Sequence, residues 1–160
     1  MNRNLEIKKT VYGAGSGVFA QKSFKPGEDL FIFGERIITW AKATCRSIHM
    51  GKNRWMEPEV GSFGHFINHS CAPTAVFQLP NKIVSKVEIK SGEEVTVDYS
   101  TLVHSSNWKM ECLCSSASCR KVVRSFPLMP LAFQEEYKYF NTFEAERSVD
   151  QISPLAPKGF

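Results

Sequence analysis

This chain contains no long apolar run. Its most apolar-rich stretch, Leu30 to Trp40, is broken by Gly34, Glu35 and Arg36, and Met1 to Lys8 lacks the apolar segment of a secretion signal. Those absences argue against a membrane partner and a secreted protein, and predict a soluble intracellular one, cytoplasmic or nuclear. Concentrated basic charge is missing too. Net charge is +4 with a pI near 8.8, and the basic groups Lys8-Lys9 and Arg120-Lys121 with Arg124 are short, where a nucleic-acid binder needs a stripe. No direct nucleic-acid partner is expected. Internal repeats and low-complexity segments are absent as well.

What is present suits one core. The 160 residues, 42% of them hydrophobic, are enough for one domain with appendages and too few for two. β-branched and aromatic residues gather in short runs: Leu5 to Thr10, Val18 to Ala20, Leu30 to Phe33, Arg36 to Trp40, Ser47 to Met50, Ala75 to Leu79, Ile83 to Val87 and Val95 to Tyr99. Turn signals such as Pro26-Gly27, Pro80-Asn81 and Ser91-Gly92 separate several of them. This pattern predicts a mainly β fold of small sheets. Only the C-terminal part reads as helical, with Pro130 suiting a first helical position and Phe133, Tyr137 and Phe140 forming one core-docking face. Residues 127–147 are expected to form this extension and residues 148–160, with Pro154, Pro157 and Gly159, a loosely held tail.

Five cysteines without a secretory signal favour metal or free thiols over disulfides. Cys112, Cys114 and Cys119 form a C-x-C-x4-C run among small polar residues, and a tetrahedral structural zinc site needs four ligands. The fourth must come from elsewhere. The competing reading, that these are buried small apolar residues, explains the close spacing poorly. Cys45 stands apart and reads as an ordinary buried thiol.

Three further words carry chemistry. Gly15-Ser16-Gly17 precedes Val18-Phe19-Ala20, where glycine lets backbone approach a ligand; as a plain hairpin turn it needs none, and its spacing is neither a dinucleotide nor a P-loop fingerprint. His65 to Pro73, reading HFINHSCAP, sets the donors and acceptor of Asn68 beside His69. Its bland alternative is an Asx-type turn ahead of Pro73. Gly92 to Tyr99, reading GEEVTVDY, ends on a tyrosine whose alternative is a strand-end residue with its hydroxyl in water.

In this order the words resemble the SET-domain protein-lysine methyltransferases that carry a C-terminal zinc-binding post-SET segment. The resemblance covers about residues 5–126. It implies a SET-type fold of small antiparallel sheets over residues 5–103, with a threaded, knot-like core where the Asn68 and Tyr99 segments meet, and a post-SET segment over 104–126. The implied activity is transfer of methyl groups from S-adenosylmethionine to the side-chain amine of lysine in a protein or peptide, such as a histone tail. By the same resemblance, Gly15, Ser16, Gly17, Asn68 and His69 hold the cofactor, Tyr99 is catalytic, and Cys71 joins Cys112, Cys114 and Cys119 around zinc. Phe77 and Val97 fall where the family places residues that set the width of the lysine channel, and Phe126 is expected to help wall the site.

Departures from the family stand beside these matches. Thr74 replaces a common Asn, His65 takes a place where Arg or Tyr is frequent, and Ser62-Phe63 holds the place of an Asn-rich word. They leave a second function class open, a non-catalytic SET-like module that binds peptide without turnover, although intact Asn68, His69 and Tyr99 count against it. A nucleic-acid-binding zinc module would need basic residues near the cysteines, and Arg120, Lys121 and Arg124 are few.

Overall fold

The computed structural model of the chain describes residues 2–10, 15–105 and 107–140. Its strands are β1 (Leu5–Lys9), β2 (Ser16–Ala20), β3 (Asp29–Ile32), β4 (Arg36–Ile38), β5 (Ile48–His49), β6 (Trp55–Glu57), β7 (Asn68–His69), β8 (Ala75–Gln78), β9 (Lys82–Ser85), β10 (Glu94–Val97), β11 (Lys109–Glu111) and β12 (Val122–Arg124). Two short helices, α1 (Phe63–Phe66) and α2 (Leu131–Glu136), complete the regular α structure among the described residues. The mainly β expectation holds. None of these helices is long and apolar enough to cross a membrane.

β1 and β2 pair antiparallel, from Leu5 opposite Ala20 to Lys9 opposite Ser16. β2 continues antiparallel onto β10, and β10 pairs parallel with β7, so Thr96 lies opposite Asn68 and Val97 opposite His69. The sheet order β1-β2-β10-β7 therefore brings the Asn68 and Tyr99 words together. Two three-stranded sheets, β3-β9-β8 and β4-β6-β5, and the hairpin β11-β12 surround it. Val18, Phe77, Ile83, Val95 and Val97 are fully enclosed in the core between them. Burial of each such side chain is worth about 1.5–3 kcal/mol relative to leaving it in water.

Two details differ from the sequence pattern. Tyr99 starts a 3-10 turn, Tyr99–Thr101, instead of ending a strand, because the buried Asp98 carboxylate accepts a hydrogen bond from the Ser100 N–H at 2.9 Å and turns the chain. α2 covers six residues with Pro130 just before it, at the cap. Its aromatic face does dock: Phe133, Tyr137 and Phe140 pack with Val76, Val84 and Phe126. The expected helix beyond residue 140 and the tail at 148–160 lie outside the described residues.

Candidate functional site

Tyr99 stands where two cavities meet. The first, about 330 Å3, is lined by Gly15, Ser16, Phe33, Ile67, Asn68 and Tyr99 together with the loop Cys45 to Ile48 that leads into β5. The second, about 510 Å3, shares Asn68 and Tyr99 and adds Thr10, His69, Glu94, Thr96, Met110 and Leu113. The Tyr99 hydroxyl donates to the Ile67 carbonyl at 2.8 Å, and burial pushes its phenol well above the ordinary value. It is a neutral hydroxyl whose proton is already committed.

Asn68 works on the glycine turn. Its amide nitrogen donates to the Ser16 carbonyl at 3.1 Å and to the Glu94 carboxylate at 2.8 Å, which fixes the turn against β7 and β10. Gly17 is where backbone must come close: a Cβ there would sit 2.1 Å from Glu94 Oε1 and 2.8 Å from Asn68 Nδ2. Gly15, with φ near +81°, occupies the left-handed region that glycine enters at no steric cost. Thr74 braces β10 through its side chain. Its hydroxyl donates to the Glu94 carbonyl at 3.0 Å and accepts from the Thr96 N–H at 3.0 Å, tying the loop after Cys71 to β10.

Behind Tyr99 lie the thiols. Cys71, Cys112 and Cys114 gather with His69 so that their ligand atoms all lie within 4.8 Å of one another. Cys119 sits at the edge of this group, its thiol donating to the Cys112 carbonyl at 3.4 Å. The His69 ring turns to the thiols and not to the first cavity: its Nδ1 accepts from the Tyr99 N–H at 3.1 Å, and its Nε2 is 3.3 Å from Cys71 Sγ. Burial holds His69 down to about 4, so the ring is neutral. With Nδ1 accepting, the proton belongs on Nε2, aimed at sulfur. Asp98, 1% exposed, receives the Arg120 guanidinium at 2.7 Å, and Arg120 also donates its backbone N–H to Cys71 Sγ at 3.4 Å. The residue after Cys119 thus joins the thiols to the Tyr99 turn.

A tetrahedral site with metal–sulfur distances of 2.3 Å separates its sulfurs by about 3.8 Å. Cys71 Sγ and Cys112 Sγ lie 3.7 Å apart. Burial pushes both thiols up, and a soft cation is the partner that draws such groups as thiolates. The donor set fits zinc.

The expected channel walls are elsewhere. Phe77 and Val97 are enclosed in the main core and Phe126 stacks on His104 beside α2, and none lines either cavity. Val95 and Val97 share one face of β10 by the two-residue strand period, and that face is the core. Residues to which the motifs gave no role stand here: Cys45 and Arg46 line the first cavity and Glu94 the second, while Asp98 and Arg120 pair behind Tyr99. The identical two-residue step from Glu94 to Thr96 on the opposite face was the readable signal for Glu94; nothing local marks Arg46.

The SET-domain profile matches residues 15–100, just over half of the chain. The chain belongs to the SET-domain family. Among curated proteins, this SET domain is 30% identical over 156 residues to the histone-lysine N-methyltransferase Su(var)3-9 of Drosophila melanogaster, covering 74% of this chain and 25% of that protein. It is 31% identical over 142 residues to the variant-silencing SET domain-containing protein of Plasmodium falciparum, covering 73% of this chain and 6% of that protein. The chain therefore spans a quarter or less of these relatives. Of solved structures, SUVH6 of Arabidopsis thaliana with S-adenosylmethionine matches with a TM-score of 0.63 at 21% identity, covering 75% of this chain and 32% of that one. KRYPTONITE in complex with mCHH DNA, an H3(1-15) peptide and S-adenosylhomocysteine matches with a TM-score of 0.61 at 21% identity, covering 76% and 29%. At that identity the structures speak for the fold.

Proposed function

We propose that this SET domain transfers methyl groups from S-adenosylmethionine to the side-chain amine of a lysine in a protein substrate. The observation that carries the reading is Tyr99, a neutral hydroxyl at the junction of two cavities, with Asn68 and the Gly15-Ser16 turn beside it. When bound, the cofactor supplies an electrophilic methyl group on a sulfonium. Direct displacement depends above all on alignment. Because the Tyr99 proton goes to Ile67, its oxygen can accept from the amine N–H and turn the nitrogen lone pair toward the methyl. Phe33, Ile67 and Leu102 line the first cavity and keep water from the reacting amine, which favours its neutral form. The amine proton leaves to water at the mouth; Tyr99 orients and does not act as the base.

For the metal, Cys71, Cys112, Cys114 and Cys119 would hold zinc. We place His69 beside the ligands and not among them, because its Nδ1 accepts from the Tyr99 N–H and the proton then falls on the nitrogen that faces the thiols. Its role is to donate to Cys71 and steady the ligand while anchoring Tyr99. Elemental analysis checks this: His69→Gln should keep one zinc per chain, whereas Cys119→Ser should lower occupancy.

A histone tail is the substrate we favour, supported by relatives named as histone-lysine methyltransferases and by an H3 peptide in a neighbour's crystal; a nuclear residence goes with it. The test is incubation with methyl-labelled S-adenosylmethionine, histones and a cell lysate, followed by mass spectrometry. Label on lysine ε-nitrogens is the expected result. Cofactor binding with no lysine labelled in any protein would replace the enzyme by a binding module.

A further inference from the structure

We propose that Arg46 binds the carboxylate of the cofactor's amino-acid end, so that a residue outside every recognised motif sets cofactor affinity. The inference rests on the functional reading above and adds to it the group that meets the cofactor's single anionic end.

The first cavity is poor in charge. Among the described residues that line it, Arg46 carries the one fixed charge, and no Asp or Glu is present. His65 also lines it, but burial and the Arg46 charge both hold that imidazole below its ordinary value, so Arg46 is the cation. The cofactor assigned to this site brings two positive groups, a sulfonium and an α-ammonium. Adding a guanidinium to them is repulsive unless an anion meets it. The reacting molecules hold one anion, the α-carboxylate. Arginine presents a planar fork that pairs with a carboxylate through two parallel N–H bonds.

The geometry around Arg46 suits that task. Its Nε donates to the His65 carbonyl at 3.1 Å, and its Nη1 lies 3.6 Å from Cys45 Sγ. No carboxylate among the described residues is ion-paired with it. The loop that carries it is held independently: Thr44 and Ser47 both donate their hydroxyls to the buried Glu57 carboxylate, and the Arg46 N–H donates to Thr44 Oγ1 at 3.1 Å. Glu57 thereby spends its acceptors on the loop and not on the guanidinium. Gly15 and Ser16 line the same cavity.

Calorimetry with two ligands tests the assignment. One is S-adenosylhomocysteine and the other its decarboxylated analogue, which keeps the adenosine, thioether and amine. The unmodified chain should bind the first more tightly. Arg46→Gln should weaken S-adenosylhomocysteine roughly ten- to hundredfold, the range for a charge-assisted pair, and leave the decarboxylated ligand unchanged, so that the two become equivalent. Arg46→Lys should recover part of the preference. Equal weakening of both ligands by Arg46→Gln, with an unchanged thermal midpoint, would overturn the proposal in favour of a purely structural role at His65; no weakening of either would overturn it outright. If the unmodified chain binds neither ligand, the methyltransferase reading falls and the assignment with it. Tight binding that ignores Arg46 sinks the assignment alone.

Discussion

Behind Tyr99, toward the thiols, the contacts are buried and mutually paired: Asp98 with Arg120 and the Ser100 N–H, His69 with the Tyr99 N–H and Cys71, Cys71 with Cys112. In front, toward the glycine turn, the wall is made of loops, with an exposed Arg46 and a half-buried Cys45 and His65. The back is held by bonds within the chain, and the front leaves its one charge for a ligand. A site of this kind is pre-organised from one side, so damage behind Tyr99 should cost stability and damage in front should cost binding.

The largest effect expected on the back is loss of metal. A structural zinc contributes its binding free energy to folding, several kcal/mol or more, so a chelator should lower the thermal midpoint and release the 109–124 hairpin first. Hydrogen exchange that finds β11 and β12 still protected after zinc removal would show that the thiols are held by packing alone. Next comes Asp98→Ala. It leaves Arg120, 22% exposed, without its carboxylate and uncaps the Tyr99 turn, at a cost of about 3 kcal/mol, the low end for breaking a buried pair. A urea midpoint that barely moves would mean water already serves Arg120.

Asn68→Ala sits on the border between the two faces. It removes the bonds that hold the Ser16 carbonyl and Glu94, and should weaken cofactor binding by about 1–3 kcal/mol, the cost of unsatisfied polar partners. The route is through the turn, so Ala should also loosen β2 in hydrogen exchange. Unchanged affinity would make the turn self-supporting.

How much of this was legible in the sequence follows the same division. Strands with their own alternation, such as Val95 to Val97, could be read because a two-residue period needs no partner to reveal it. β7, two polar residues long, is a strand only because β10 pairs with it, and β6, β11 and β12 are likewise three-residue segments fixed by their neighbours. The cysteine run announced a metal site because spacing along the chain is what a small chelate needs. That the His69 ring faces sulfur was not legible, since which way a ring turns depends on what its other nitrogen meets. Arg46 left no trace at all: its role comes from a cavity assembled by segments far apart in sequence.

A smaller effect tests the core between the post-SET hairpin and the β4-β6-β5 sheet. His49, stacked on Trp55 with ring centroids 4.7 Å apart, is held by burial at about 4, and His104, stacked on Phe126, is lowered to about 2 by burial and then by His49. Unfolded histidine titrates near 6.5. Both native values are depressed, so the unfolded chain binds more protons below that pH, and stability present above about 6.5 is lost as pH falls. From pH 7.5 to 5.5 the loss should be about 1 kcal/mol per imidazole. Equal urea midpoints at the two values would indicate that the rings are solvated.

Tyr99→Phe is expected to disturb folding least while bearing most directly on the chemistry. It deletes one hydrogen bond, to the Ile67 carbonyl, worth about 1 kcal/mol of stability, and leaves the ring packed against His69 and the backbone N–H still bonded to Nδ1. The contacts proposed for the cofactor at Asn68 and the glycine turn are untouched, so the dissociation constant for S-adenosylhomocysteine should stay the same. Only the oxygen that orients the incoming amine is gone, and an interaction made in the transition state alone lowers kcat and kcat/KM together. If the cofactor's dissociation constant rises in step with the fall in kcat, Tyr99 acts by shaping the cofactor site from behind, and the division between a structural back and a ligand-binding front fails at the residue that separates them.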